Sequence, residues 1–480
     1  MIFNLHASAR PLGQRRLRAC RLVLWLSVAL PALISCQRDR PRPDVVMYVV
    51  DTLRADALGC YRGEPGRTPH FDRVASEGAR FARAYANSSW TRPSVASLLT
   101  GHYPRTHGAN GRFDRLRSDL PTLPEVLRKH GYETVGIVAN PNLASTFGFR
   151  RGFDHFLELY EPVDQVRPIE PQELLVPAER VVDIALEWWR KPRQRPLFLF
   201  VFSIDPHAPY TPPPPFDRMY DSEYTGNFDG SFESLFRLAI AGKRADPRDL
   251  RHVRALYDGE VAYADHHFGR LLAELDRSPP ARAPILVVTA DHGEEFLEHG
   301  KLDHGQTLYE EVVRIPLLLR WPGRIAPHTS DVPVSLVELF PTLLGLLGID
   351  SSTVAGTGLH HVLLRQRPGA PAPVLLELSL TPPPLTAWVN GTSKLIRSPE
   401  HSWYFDLATD PAEQTPKAAP PSLVQGLENV LQRADRLVPA HQEATAEVPA
   451  RAREALKALG YGGFLGHESG PSPVPPTGQK

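Results

Sequence analysis

Cysteine is scarce in this chain: three in 480 residues, at positions 20, 36 and 60. Three thiols cannot make a disulfide framework, so the fold must rest on a packed core, and 42% hydrophobic residues are enough for a large one. A charge imbalance is missing too. Lys+Arg and Asp+Glu both number 54, for a formal net charge of zero. A nucleic-acid-binding protein would carry a basic face, and nothing in this balance points to one. The first 36 residues hold no acid at all but five arginines, at 10, 15, 16, 18 and 21. Without them the net charge is −5.

Those arginines lead into residues 22–34 (LVLWLSVALPALI), an apolar run of 13 residues. It is short for a bilayer span and the right length for the apolar part of a signal peptide. The stretch Leu33-Ile34-Ser35-Cys36 that closes it resembles a bacterial lipobox, in which the cysteine becomes the lipidated first residue of the mature protein. Gln37, not Asp, follows, which favours an outer-membrane address. The expectation is a lipoprotein-type signal peptide over 1–36 and a polar tether over 37–43 (QRDRPRP). The protein is then held in the cell envelope, on the periplasmic or outer-membrane side, by acyl chains on Cys36. Each buried CH₂ contributes roughly 0.8 kcal/mol to such an anchor. Cys60, in LGCY, is expected to be a small buried core residue.

Past the tether, DVVMYVV (44–50), ETVGIV (133–138), PLFLFVFSI (196–204) and PILVVTA (284–290) are continuous apolar, β-branched runs. Such runs predict buried strands of a parallel sheet. Between them the periodicity predicts helices over 122–131 and 253–276, with another over 334–349. The fold class is therefore α/β, a large mostly parallel sheet flanked by helices, over 44–349. From about 350 the texture changes. Short runs at 373–378, 386–391, 393–398 and 402–407, separated by Pro or Gly turns, predict a smaller C-terminal antiparallel subdomain, and a helix is expected over 450–461. This subdomain is expected to span 350–463, with a Pro/Gly/Ser-rich disordered tail over 464–480.

Three of the apolar strands run into acids: Asp51 after the first, Asp205-Pro206-His207 after the third, Asp291-His292-Gly293 after the fourth. Ligand sites in open α/β sheets gather at the carboxyl ends of strands. A carboxylate there is costly to desolvate unless paired or bound to metal. One such Asp reads as a helix cap or an ion pair; three edges together read as a site for a divalent cation. A mixed Asp/His set suits Zn²⁺ or Mn²⁺, and all-oxygen sets suit Ca²⁺ or Mg²⁺. Thr91, in SSWTRPSVASLLTG (88–101), stands just before Pro93 and a predicted helix start. It is either a cap or a hydroxyl that a neighbouring cation activates for attack. His107 reads as a turn residue, His299 as part of a loop over the site, and His266 and His267 as helix surface.

Seven ordered stretches carry a family resemblance. They are DTLRAD (51–56) with LGCY, RTPHFDRVASEGARFARAYA (67–86), SWTRPSVASLLTGHYPRTHG (89–108), GYETVGIVANPNL (131–143), DPHAPYTPP (205–213), DHGEEFLEHGKLDHGQTLYEEVVRIPLLLRWPG (291–323) and YFDLATDPAE (404–413). Over nearly all of 44–415 the chain resembles the sulfatase family of the alkaline-phosphatase superfamily. The resemblance implies metal ligands at Asp51, Asp291 and His292. It puts Thr91 where the family carries the Cys or Ser that matures to formylglycine. Pro93 is retained, Val95 replaces the motif arginine, and Thr52 replaces the second acid of the family's Asp-Asp pair. The family's Lys and His after the second strand fall on Ala139 and Pro141, leaving Asn140 and Asn142 nearby. A later substrate lysine becomes His304, and His207 matches the family's anion-contacting histidine.

Threonine cannot become formylglycine, and superfamily members acting on phosphate esters and diesters use an unmodified, metal-bound Thr. The expectation is thus a sulfatase-like, divalent-metal-dependent hydrolase cleaving sulfate or phosphate esters, with Thr91, His207 and His304 catalytic and Thr91 also a metal ligand. Asp205, His207 and His304 form a second metal site or contact substrate directly. Arg54 and Asn140 contact the anionic ester, a glycan or lipid headgroup being the expected bearer. Two other readings stay open: a phosphotransferase to a glycan or lipid headgroup, and a non-catalytic anion- or glycan-binding protein.

Overall fold

Val45–Val50 (β1) is six residues of uninterrupted, fully buried apolar chain, and both its edges are paired. It forms the middle of an eight-stranded sheet in a computed structural model that describes residues 42–160, 175–351, 356–365, 373–435 and 446–461. The other strands are β2 (Ala79–Phe81), β3 (Glu133–Val138), β4 (His155–Glu158), β5 (Leu197–Ser203), β6 (Ile285–Ala290), β7 (Leu317–Arg320) and β8 (His328–Ser330). Their order is β8-β2-β7-β6-β1-β5-β3-β4. Only β7 runs against the rest. The continuous hydrophobic runs are explained by helices covering the sheet, among them α1 (Pro69–Glu77), α4 (Ala178–Arg190) and the 29-residue α5 (Pro247–Leu275).

Register decides what meets at the sheet's carboxyl edge. Val50 lies opposite Ala290 on one side and Ser203 on the other, and Val138 lies opposite Phe202. The next residues out, Asp51, Asp291 and the 204–207 loop, therefore share one rim with Ala139 and Asn140. A second helix, α2 (Thr91–Thr100), brings Thr91 to the same place, and every residue of α2 is buried. Between them α3 (Leu123–Lys129) starts with a reciprocal capping box, Thr122 with Glu125.

The C-terminal antiparallel sheet is present as expected: β9 (Val374–Leu378), β10 (Leu385–Asn390), β11 (Ser393–Arg397) and β12 (Ser402–Asp406). Its strands alternate. Val374, Leu376, Leu378, Ala387, Val389 and Ile396 pack on Tyr85, Trp90, Leu308, Val312 and Val313, the segments that flank the Thr91 rim. Leu375, Trp388 and Leu395 face the other way, against a helix (Pro421–Asp435) that the sequence reading missed.

Several local expectations are revised. The 334–349 helix is shorter: a strand pair and a 3₁₀ turn precede α6 (Leu339–Leu346), whose Pro341 sits at its third position. The 450–461 helix ends at Leu456 and widens into a kinked π turn, Lys457–Tyr461, with Gly460 at φ +83°. This segment packs through Ala452, Ala455 and Leu459 into the main core, so it does not belong with the C-terminal sheet. Cys60 is half-buried at the core's edge rather than inside it. His267 is buried on α5 against Tyr263, and only His266 faces solvent. The signal peptide, Cys36, most of the tether and the 464–480 tail lie outside the described residues. Among the described residues no helix is long and apolar enough to cross a membrane.

One buried cation ties the C-terminal sheet to the catalytic layer. Lys394 of β11 is fully buried, 3.0 Å from Glu310 and 2.9 Å from the buried Glu413. Removing one member of such a group strands the other charges in low dielectric. Lys394→Met is expected to cost about 3–5 kcal/mol in chemical denaturation, with an unchanged denaturant slope.

Candidate functional site

Four side chains converge on one point at the rim. Asp51 and Asp291 follow β1 and β6, His292 follows Asp291, and Thr91 opens α2; all four are fully buried. Ligand atoms of Asp51, Asp291 and His292 lie within 4.8 Å of one another. His292 Nε2 is 3.3 Å from Asp291 Oδ2, 3.8 Å from Asp51 Oδ1 and 3.4 Å from Thr91 Oγ1. Donors about 2.0–2.6 Å from a common ion are spaced in this way.

Each ligand's second atom is held elsewhere. Asn140 Nδ2 donates to Asp51 Oδ2 at 2.6 Å. The backbone N–H groups of Thr52 and His292 donate to Asp291 Oδ1 at 3.1 and 2.8 Å. His292 Nδ1 donates to the Gly293 carbonyl at 2.9 Å, which leaves Nε2 as the lone-pair atom facing the cluster. What remains, Asp51 Oδ1 and Asp291 Oδ2, is buried with no hydrogen-bond partner. Two orphaned carboxylate oxygens and an imidazole lone pair fit a divalent cation. Burial, and then Asp291, pushes Asp51 well above the usual carboxylate range, and burial lifts Asp291 to about 7. Burial also drives His292 well below its ordinary value, keeping it neutral as a ligand must be.

The cap reading of Thr91 fails on geometry. Trp90, with extended backbone, is the residue at the cap position, and no side chain caps this helix. Thr91 is the first helical residue, and its hydroxyl points at His292. The turn after β1 is strained: Thr52 has φ 52°, a left-handed conformation rare for threonine. Tyr257 of α5 pins it, donating to the Thr52 carbonyl and accepting from Arg54 N–H, both at 2.9 Å.

Next to His292 lies a histidine pair. The His304 ring centroid is 4.3 Å from that of His292 and 5.1 Å from that of His207. His304 Nδ1 donates to Asp303 at 2.6 Å and Glu294 at 3.0 Å. Burial works to lower the His304 pKa, but Asp303, Tyr461 and Glu294 outweigh it and raise it well above normal. His207, buried beside that charge, is pushed down to about 4.

Asp205 does not join this group. Its Oδ2 accepts from the Ala178 N–H at 2.5 Å, at the start of α4, and burial lifts it to about 6. The acids around His304 are Glu294 and Asp303 instead. Arg54 is also turned away from the expected role. Its guanidinium pairs with Asp56 at 2.8 Å and Glu298 at 2.6 Å, and it donates to the Glu294 carbonyl. Asn140 reaches the site but spends its amide on Asp51. His107, fully buried, links Ser97 and the Pro93 carbonyl of α2, both at 3.1 Å, which is more than a turn cap. His299 stands beside the site in a separate cluster, 2.6 Å from Glu311 and stacked on Tyr309. Tyr461 was missed: its Oη lies 3.0 Å from His304 Nε2 and 3.3 Å from His207 Nε2. Nothing in the stretch ALKALGY marks it, because its neighbours at the site come from residues 150 to 250 positions away.

Residues 43–349 match the family model described as sulfatase. Iduronate 2-sulfatase of Mus musculus is 28% identical over 383 residues, covering 64% of this chain and 69% of that protein. A solved structure in complex with its substrate D-glucosamine-2-N,6-O-disulfate superposes with a TM-score of 0.68 at 20% identity, over 82% of this chain and 97% of that one. The phosphonate monoester hydrolase of Agrobacterium radiobacter superposes with a TM-score of 0.65 at 20% identity, over 82% and 95%. At these identities the two structures speak for a shared fold.

Two expectations follow from the geometry. Asn140→Ala frees Asp51 Oδ2 to rotate, and divalent-ion affinity should fall about 10- to 100-fold in a chelator competition titration, with melting little changed. Unchanged affinity would show that the amide does not orient the ligand. His299 gives the second. Burial lowers its pKa, but the Glu311 contact raises it to about 9, above the ordinary 6.5. A raised folded pKa means that its stabilisation is complete below about 6.5 and is lost as pH rises through about 9. The melting temperature should decline over that window, and His299→Gln should flatten the decline.

Proposed function

The chain belongs to the sulfatase family, and on that premise we propose that it is a metal-dependent hydrolase of sulfate or phosphate esters whose attacking atom is Thr91 Oγ1. The observation that carries this reading is the pair of orphaned oxygens on Asp51 and Asp291, facing a hydroxyl at the first turn of a buried helix. A divalent cation held by Asp51, Asp291, His292 and Thr91 Oγ1 would supply positive charge where the hydroxyl oxygen and the ester anion meet. The imidazole in the donor set favours Zn²⁺ or Mn²⁺ over Ca²⁺ or Mg²⁺.

The chain's own residues do the rest. The α2 N-terminus presents backbone N–H groups and the positive end of its dipole to the anion. Thr91 Oγ1, its proton released to solvent, would bond to sulfur or phosphorus as the bond to the alcohol oxygen breaks; water would then cleave the Thr91 ester, and the freed Thr91 oxygen would take back a proton. His304, charged beside the anion, can give a proton to the leaving oxygen and recover one from the attacking water, with His207 at its side.

The relatives' names favour sulfated glycans as substrates. Thr91 itself favours a phosphoester. A formylglycine hydrate can expel its sulfate through a second hydroxyl, whereas a plain alcohol has none and depends on attack by water at the transferred atom. Nothing favours the transferase or the binding-only reading over hydrolysis. The lipobox-like stretch ending at Cys36 adds an envelope location to the proposal.

Thr91→Ala should abolish turnover, by at least about 10³-fold, while melting temperature and bound metal stay near wild type. Full activity in that variant would refute the nucleophile. Chelation should abolish turnover reversibly. A panel of aryl sulfate, phosphate monoester, diester and phosphonate, run with metal-defined protein made without a formylglycine-generating enzyme, should show full activity on at least one class. Activity confined to co-expression with that enzyme would overturn the reading.

A further inference from the structure

The C-terminal strap enters the site. From Ala446 N–H on the Phe113 carbonyl, through Thr146 Oγ1 on the Glu447 carbonyl, to Arg112 on the Tyr461 carbonyl at 3.0 Å, residues 446–461 are stitched across the loops of the carboxyl rim. Its end, Tyr461, puts one hydroxyl between the two histidines. Their hydrogen bonds fix the directions. His304 Nδ1 faces two carboxylates and must carry a proton. His207 Nδ1 faces the Ala208 carbonyl at 2.8 Å and must donate as well, so Nε2 is the nitrogen left to each ring for a further contact. Tyr461 Oη meets both, 3.0 Å from His304 Nε2 and 3.3 Å from His207 Nε2, and can accept from one while donating to the other.

We propose that Tyr461 is a positioning residue of the reaction, its hydroxyl joining Nε2 of His207 to Nε2 of His304 and so fixing both rings beside His292. The inference rests on the hydrolase reading of the site. The rings have no other side-chain anchor at those nitrogens among the described residues, and a ring free to rotate by a fraction of an ångström loses the alignment that speeds proton transfer. A residue 150 positions or more from either histidine thereby becomes part of their working geometry, through a segment that sequence motifs of the catalytic core do not include.

Tyr461→Phe keeps the ring and removes only the hydroxyl. Expected are a kcat lowered about tenfold or more, KM within about threefold, a shifted pH–rate profile, and a melting temperature within about 2 °C of wild type. In ¹⁵N-edited spectra of the metal-loaded protein, the Nε2 signals of two histidines should move. Unchanged kinetics and unchanged histidine signals would overturn the proposal, as would a kcat loss matched by a proportional loss of folded protein. Activity retained in Thr91→Ala would instead sink the hydrolase mechanism, and the spectra would still decide whether Tyr461 holds the histidines.

Discussion

Two carboxylates, Asp51 and Asp291, stand side by side at the end of adjacent parallel strands, and each keeps one buried oxygen without a partner. Desolvating either is costly and their mutual repulsion adds to the cost. Without a compensating cation both pKa values rise, as they do here. The protein does not relieve the strain from within. The Arg54 guanidinium is spent on Asp56 and Glu298, and the Asn140 amide holds the far oxygen of Asp51. The rim could be completed by a positive ion, since its buried oxygens and the His292 lone pair face one point.

The scaffold makes the requirement precise. β1 cannot slip, because a shift of one residue would move Asp51 away from Asp291 and turn its apolar neighbours over. The strained Thr52 turn fixes the direction in which Asp51 leaves the sheet, and α5 supports it through Tyr257. Thr91 comes from a different layer, and its position depends on Trp90, which packs into the core shared with the C-terminal sheet. The late sheet therefore bears on the rim without touching it: it seats the segment that carries Thr91.

The parallel sheet and the Asp/His cluster at its rim were legible because they depend on local patterns. A buried parallel strand needs a continuous apolar run, and a strand-end acid stands out against it. The central strands fall where those runs predict. What could not be read is what depends on side-chain direction or on contacts distant in sequence. Asp205 and Asp51 look alike in the chain, yet Asp205 turns under the sheet to cap α4. Arg54 looks like an anion ligand until its two acids are seen. The helix at 421–435 was legible in principle, since Leu423, Val424, Leu427, Val430, Leu431 and Ala434 fall on one helical face, and that face packs on Trp388 and Leu395. Tyr461 had no signal at all.

The placement of fixed cations bears on what the site can discriminate. Arg92 follows Thr91 directly, but its guanidinium lies over the Phe147 ring at 3.4 Å and donates to the carbonyls of Gly111, Arg112 and Asn142. It is buried with no carboxylate partner among these contacts, and burial pulls its pKa down to about 9. It braces two rim loops against α2 and leaves the pocket to others. Val95, where the resemblance expects an arginine, sits in the main core. With a cation at the Asp51–Asp291 rim, the positive charge offered to a substrate would come from that ion and from His304, which two carboxylates flank. A site with few fixed cations binds a monoanion with less surplus attraction than one ringed by Arg and Lys. More of its binding energy is then reserved for the geometry in which the Thr91 oxygen, the transferred atom and the leaving oxygen fall in line.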